Sequence, residues 1–222
     1  MLRILYEDNH LLGVEKPVNV PVNEDDSRDE DLLSMGKAYL KEKYQKPGNV
    51  YLGLVHRLDR PVGGSVIFAR TSKAASRLSD VIRRNAMHKT YLAVLDGVPP
   101  KSSDTLVDYQ TKNSRTNTVT VTEEGKEKRS ELSYEVLAVK EGKALVRIQL
   151  KTGRSHQIRV QFSSRGTPLM YDQRYHPNPG KGQIALWAYQ LEFPHPVTKE
   201  PVILTSLHPK EGIWTLFEDY YD

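Results

Sequence analysis

ELSYEVLAVKEGKALVRIQLKTGRSHQIR, residues 131–159, carries the alternation that decides the fold. Leu132, Tyr134, Val136 and Ala138 occupy every second position, as do Ala144, Val146, Ile148 and Leu150 after the turn-forming pair Glu141-Gly142. A period of two puts each set on one face of a strand, and the short turn between them predicts an antiparallel hairpin with that face buried. Directly behind it the chain runs through a polar turn, residues 151–155. It then spaces Ile158 and Phe162 four apart before Gly166, which predicts a helix start. Strands that pair with their sequence neighbours, and helices that do not alternate with every strand, make an α+β fold on a mixed, mainly antiparallel sheet.

The flanking sequence agrees with that class. Residues 118–122 are a β-branched run, and the polar residues 112–117 before it predict an exposed hairpin or loop carrying positive charge. At the amino end, residues 4–6 and 11–14 read as paired strands around Asp8-Asn9, ended by Lys16-Pro17. Helical spacing of Leu32, Leu33, Met35, Tyr39, Leu40 and Tyr44 predicts a helix over 31–44, stopped by Lys46-Pro47-Gly48. Ala74, Ala75, Leu78, Val81 and Ile82 predict another, capped by Thr71 or Ser72. Strands are expected at 65–69 and at 91–95, the latter closed by Asp96-Gly97. With no internal repeat and no long linker, residues 1–222 are expected to form a single domain.

Composition narrows the function. The chain has no cysteine, which removes disulfides, thiolate metal sites and thiol nucleophiles and suits a cytoplasmic protein. Arg3, Glu7 and Asp8 interrupt the first apolar residues, and no apolar run is long enough to span a bilayer, so neither export nor a membrane is expected. Thirty-two Lys+Arg against 28 Asp+Glu leave a net charge of +4, unevenly spread. Acids crowd into Glu24, Asp25, Asp26, Asp29, Glu30 and Asp31, which leaves a basic body suited to a polyanionic partner. No Gly-rich phosphate loop, His-Glu-x-x-His or Gly-x-Ser-x-Gly motif occurs. The seven histidines are scattered, so no metal is expected.

Three segments can carry chemistry. In His56-Arg57-Leu58-Asp59-Arg60 a carboxylate stands between two guanidinium groups, followed by the flexible pair Gly63-Gly64 before an apolar strand. An arginine beside a carboxylate favours its ionised form, so Asp59 can serve as nucleophile or base, and the arginines can hold phosphate. Those five residues alone fit a surface Arg–Asp ion pair in a loop better than a catalytic site. Residues 151–159 offer Arg154 to a carboxylate, and His156, Gln157 and Arg159 to phosphate or base edges; taken alone, the segment is better explained as an ordinary basic helix start. His88-Lys89-Thr90-Tyr91 sets an aromatic beside two potential cations, which suits stacking on a base, although strand tyrosines also build cores.

Taken in order, Lys16-Pro17, residues 56–59, Lys89-Thr90-Tyr91-Leu92-Ala93, residues 153–159 and residues 186–196 resemble the RluA-type pseudouridine synthases over about residues 4–204. The resemblance implies an α+β catalytic domain with RNA in a basic cleft. It also implies conversion of uridine to pseudouridine in rRNA or tRNA, with no cofactor and no protein partner. Asp59 then matches the essential aspartate, Tyr91 the tyrosine that packs on the target base, and Arg154 the arginine that pairs with the aspartate. His56, Arg57, Arg60, Lys89, His156, Gln157 and Arg159 are expected to contact RNA. Val62 and Gly63 depart from the family's usual Thr-Ser, Tyr171 from its glycine and Trp187 from its histidine, changes that bear on substrate specificity more than on catalysis; Val62, Gly63 and Trp187 make a catalytically inactive RNA-binding module the alternative. The family's frequent amino-terminal S4-like RNA-binding domain is expected to be absent, leaving targeting to loops such as residues 112–129.

Overall fold

The computed structural model describes residues 2–122 and 127–220. The fold is α+β, and the chain forms two compact units, Met1–Lys89 with Ala188–Leu207 and Thr90–Trp187 with His208–Asp222.

Numbering elements along the chain, the first unit holds β1 (Arg3–Glu7), β2 (Leu11–Lys16), the short β3 (Gly53–Leu54) and β4 (Gly63–Ala69). It also contains β11 (Pro201–Thr205) and the greater part of β10 (Leu186–Pro194), so the strand order is β1-β2-β4-β10-β11 with β3 on β4. The pairs β1/β2, β2/β4, β3/β4 and β10/β11 are antiparallel. Every residue of β4 is buried because its two faces are covered differently. Val66 and Phe68 join a cluster with Leu32 and Leu40 of α1 (Leu32–Lys43), while Ile67 and Ala69 join Ala74, Leu78 and Val81 of α2 (Ser72–Arg83). A strand covered on both faces reads as a continuous apolar run, as GGSVIFA does. Both helices begin where side-chain oxygens meet free amides. Asp31 accepts from the Ser34 N–H at 3.0 Å and Thr71 from the Ala74 N–H at 3.1 Å.

The glycines read as flexible lie inside β4. Gly64 has φ +120°, and a Cβ there would overlap the main chain of Ala188 in β10, so glycine is required for close approach of two strands.

The second unit is a sheet of order β5-β9-β8-β6-β7. It comprises β5 (His88–Asp96, from Thr90 onward), β6 (Ser103–Asn113), β7 (Thr118–Thr122), β8 (Lys128–Lys140) and β9 (Lys143–Leu150), followed by α3 (Gln157–Ser163) and a 3-10 segment at Gly212–Tyr220. The predicted hairpin is β8/β9, with Leu132 opposite Leu150 and Lys140 opposite Lys143. Its two turn residues, Glu141 (φ 49°) and Gly142 (φ 70°), are both left-handed, as a type I′ turn demands. Leu132, Tyr134, Val146 and Ile148 are buried, and the Tyr134 ring meets Phe162 of α3 edge-on at 5.4 Å. The charged hairpin expected at 112–117 is the β6/β7 turn, although residues 123–126 of the 112–129 segment lie outside the described residues.

Candidate active site

Asp59 sits half-buried in the loop between β3 and β4 of the first unit. Leu58 before it packs on the α1-side cluster and Val55 on the α2-side cluster, so the loop is pinned to both faces of the sheet. The Asp59 carbonyl accepts from the Val62 N–H at 3.0 Å, closing a tight turn into β4, and Val62 is itself core. Hydrophobic packing at the family's Thr position explains the loss of the hydroxyl.

Lys16 holds that turn from within. Its side chain is fully buried at the end of β2, and Nζ donates to the carbonyls of Pro17 (2.9 Å), Val20 (2.6 Å) and Arg60 (2.9 Å). The sequence reading treated Lys16-Pro17 as a strand terminator and a family signature; the structure makes Lys16 a tie between β2 and the residue after Asp59. Burial pushes its pKa down to about 7, the Asp59 charge opposing and the Arg60 charge adding to the fall. Lys16→Met should remove three bonds and leave three carbonyls without a donor, costing about 2–3 kcal/mol in urea unfolding. The folded amine loses its proton near pH 7, whereas the unfolded one keeps it to about 10.5. Over that window the unfolded chain binds more protons, so wild-type stability relative to Lys16→Met should rise with pH. A flat difference would contradict the burial account.

His56 is turned inward: its Nε2 accepts from the Ile67 N–H at 3.1 Å. Burial, with the Lys89 charge adding to it, pushes its pKa down to about 3, so the ring is neutral and cannot offer a cation to phosphate. Lys89 is also held below its ordinary range by burial. Arg57 is exposed. Arg60 is engaged by Asp25, Ser27 and Asp29 of the acidic loop.

In the second unit Tyr91 is 8% exposed on β5. Arg154 is exposed at the turn after β9, its Nε donating to the Arg129 carbonyl at 3.0 Å. His156 takes a left-handed conformation (φ 52°) at the entry to α3, and its Nδ1 lies 2.6 Å from the Tyr175 hydroxyl. That hydroxyl also accepts the Val119 N–H at 2.9 Å.

Gln157 and Arg159, expected to contact RNA, are buried with internal partners. Gln157 accepts from the Thr152 hydroxyl (2.8 Å) and the Arg154 N–H (3.0 Å), and donates to the Glu131 carbonyl (3.0 Å). It therefore shapes the turn that presents Arg154. Arg159 forms a bidentate pair with Asp172, at 2.9 and 2.7 Å, with side chains 6% and 0% exposed. Burial works against the Asp172 charge, but Arg159 and the Arg174 and Tyr175 amides outweigh it and hold the carboxyl below its ordinary range. Tyr175, which the sequence reading passed over, joins this pair to His156: the Arg159 guanidinium lies 5.2 Å from its ring centre.

Among the described residues, no group of three or more His, Asp or Glu is arranged to hold a metal, and no helix is long and apolar enough to cross a membrane.

Residues 10–164 match the model of the RNA pseudouridylate synthase family. Ribosomal large subunit pseudouridine synthase C of Buchnera aphidicola is 34% identical over 180 residues, which cover 79% of this chain and 54% of that protein. The chain thus spans about half the length of that relative. An uncharacterized RNA pseudouridine synthase of Zymomonas mobilis is 30% identical over 214 residues, 94% of each chain. Among solved structures, human RNA pseudouridylate synthase domain containing 4 has the same fold, with a TM-score of 0.80 at 21% identity over 94% of this chain and 89% of that one.

Proposed function

The chain belongs to the RNA pseudouridylate synthase family, and from that premise we propose that it converts uridine to pseudouridine in structured RNA in the cytoplasm, with Asp59 as the catalytic carboxylate. The observation that carries the reading is the Asp59 turn, an aspartate at the family's motif position on a loop anchored by Leu58, Val62 and Lys16. A carboxylate so held is preorganised to act on a sugar. The ribosomal name of the Buchnera relative favours ribosomal over transfer RNA as the substrate.

The reaction breaks C1′–N1, turns the uracil and joins C1′ to C5; C5 gives up a proton and N1 gains one, so the product is an isomer and no donor is consumed. Asp59 acts on the ribose, either as nucleophile at C1′ or as base towards a glycal. Tyr91 takes the role of the aromatic that packs on the flipped base, offsetting part of an unstacking cost of roughly a few kcal/mol. Arg154 takes the family's arginine role. Arg57, Arg60, Lys89 and His156 are the proposed RNA contacts, whereas Gln157 and Arg159 support the turn that carries Arg154 and His156.

Incubating the protein with ribosomal and transfer RNA and mapping pseudouridine by carbodiimide treatment and primer extension tests the reading. Specific stops are expected. Bound but unmodified RNA would favour a binding module, and free uracil a hydrolase.

A further inference from the structure

Arg60 follows Asp59 directly, and its guanidinium is turned into the acidic loop that precedes α1. Nη1 donates to the Asp25 carboxylate (3.3 Å) and the Ser27 hydroxyl (2.8 Å), Nη2 to the Asp29 carboxylate, and Nε to the Asn19 carbonyl (3.1 Å). Every nitrogen of the fork thus has an oxygen acceptor. The acceptors also hold one another: the Ser27 amide and hydroxyl both donate to Asp25, at 3.0 and 2.5 Å, and the Ser27 oxygen accepts from the Asp29 N–H at 3.1 Å.

Anionic oxygens gathered around a planar guanidinium are what a phosphodiester would present to it. Folding is a poor explanation for the arrangement. The Arg60, Asp25 and Asp29 side chains are 39, 40 and 56% exposed, and ion pairs this open contribute little to stability and are screened by salt. The same exposure leaves the cluster open to competition from a polyanion, and the guanidinium belongs to the residue next to the proposed catalytic carboxylate.

We propose that Asp25, Ser27 and Asp29 are an internal stand-in for RNA phosphate, which occupies Arg60 until a correctly docked substrate displaces it. The inference rests on the RNA-substrate reading above. RNA that cannot bring a phosphate to Arg60 meets two carboxylates that remain in place. RNA that can do so exchanges one anion for another and adds a contact beside Asp59. The acidic loop then sets how strongly the enzyme rejects RNA that merely carries charge.

The test measures affinity against salt concentration for a labelled ribosomal RNA stem-loop and a labelled oligouridine. The proteins are wild type, Asp25→Asn with Asp29→Asn, Arg60→Gln, and all three changes combined. Asparagine keeps the size and the acceptor that Ser27 uses, and both positions are exposed, so the fold is retained; matching thermal midpoints verify this. The Asn pair should tighten both RNAs at low salt, oligouridine by about tenfold and the stem-loop by less. The slope of log affinity against log salt should steepen by about 0.7–0.9, one phosphate contact. In the Arg60→Gln background the gain should shrink to below about twofold. No tightening, or an equal gain without Arg60, would overturn the proposal, the second outcome assigning the loop a diffuse charge effect. If wild type bound neither RNA in a salt-dependent way, the RNA-substrate reading would fall, and this inference with it.

Discussion

Asp59→Asn is expected to lower single-turnover pseudouridine formation by at least about 10⁴-fold, roughly 5.4 kcal/mol of barrier, while RNA affinity stays within about threefold. The contrast follows from how the loop is held. Lys16 grips the Arg60 carbonyl, Val62 donates to the Asp59 carbonyl, and Leu58 lies against the core; none of these involves the Asp59 side chain. Asparagine has nearly the same size, so it changes the chemistry and leaves the turn in place. Release of tritium from RNA labelled at uridine C5 measures the first quantity and filter binding the second. A variant that retains even a tenth of wild-type turnover would remove Asp59 from the reaction.

Asp172→Ala is expected to cost about 3–5 kcal/mol of stability, the penalty for leaving a buried guanidinium without its partner. A seven-residue helix has little intrinsic stability, so α3 depends on its attachments, among them the buried Arg159–Asp172 pair. For a chain of this size the loss corresponds to a thermal midpoint lower by roughly 6–20 °C. Arg159→Met with Asp172→Leu removes both charges and should recover much of the loss. Because the native carboxyl titrates below its ordinary range, the stabilisation is complete above about pH 4 and disappears as acid protonates the folded state. Urea unfolding of the three proteins checks the order. A cost below about 1 kcal/mol for Asp172→Ala would show that solvent reaches Arg159 freely.

Much of the fold was legible because its signals are local. Alternation around Glu141-Gly142 marks a hairpin whose turn residues are both left-handed, and Asp31 and Thr71 stand where the α1 and α2 caps form. β6 was not anticipated: in SDTLVDYQTKN only Leu106 and Gln110 are buried, too few apolar positions to declare a strand. The internal partners of Gln157 and Arg159 are distant in the sequence. Nothing near Gln157 reveals that the Glu131 carbonyl, 26 residues earlier, will take its amide, or near Arg159 that Asp172 will. Gly63-Gly64 looked flexible because its neighbour Ala188 is 124 positions away from Gly64. The expectation for Arg60 is built on its immediate neighbours, whereas the carboxylates it meets lie 31 and 35 residues earlier; the proposal for Asp59 rests on a motif that is contiguous.

The make-up of the first unit has a consequence in time. β4 lies between β2 and β10, and its α2-side cluster is completed by Leu191, Phe193, Val202 and Leu204, all encoded more than a hundred residues after Ala69. On a ribosome adding about 5–20 residues each second, those 124 residues between Ala69 and Phe193 take roughly 6–25 s to appear. Throughout that interval the nascent chain carries an apolar strand with an unpaired edge, which is a template for the wrong partner. The Lys16, Leu58 and Val62 anchors of the Asp59 turn are all made early, whereas the α2-side cover of β4, on which Val55 packs, is completed only when the last strands emerge.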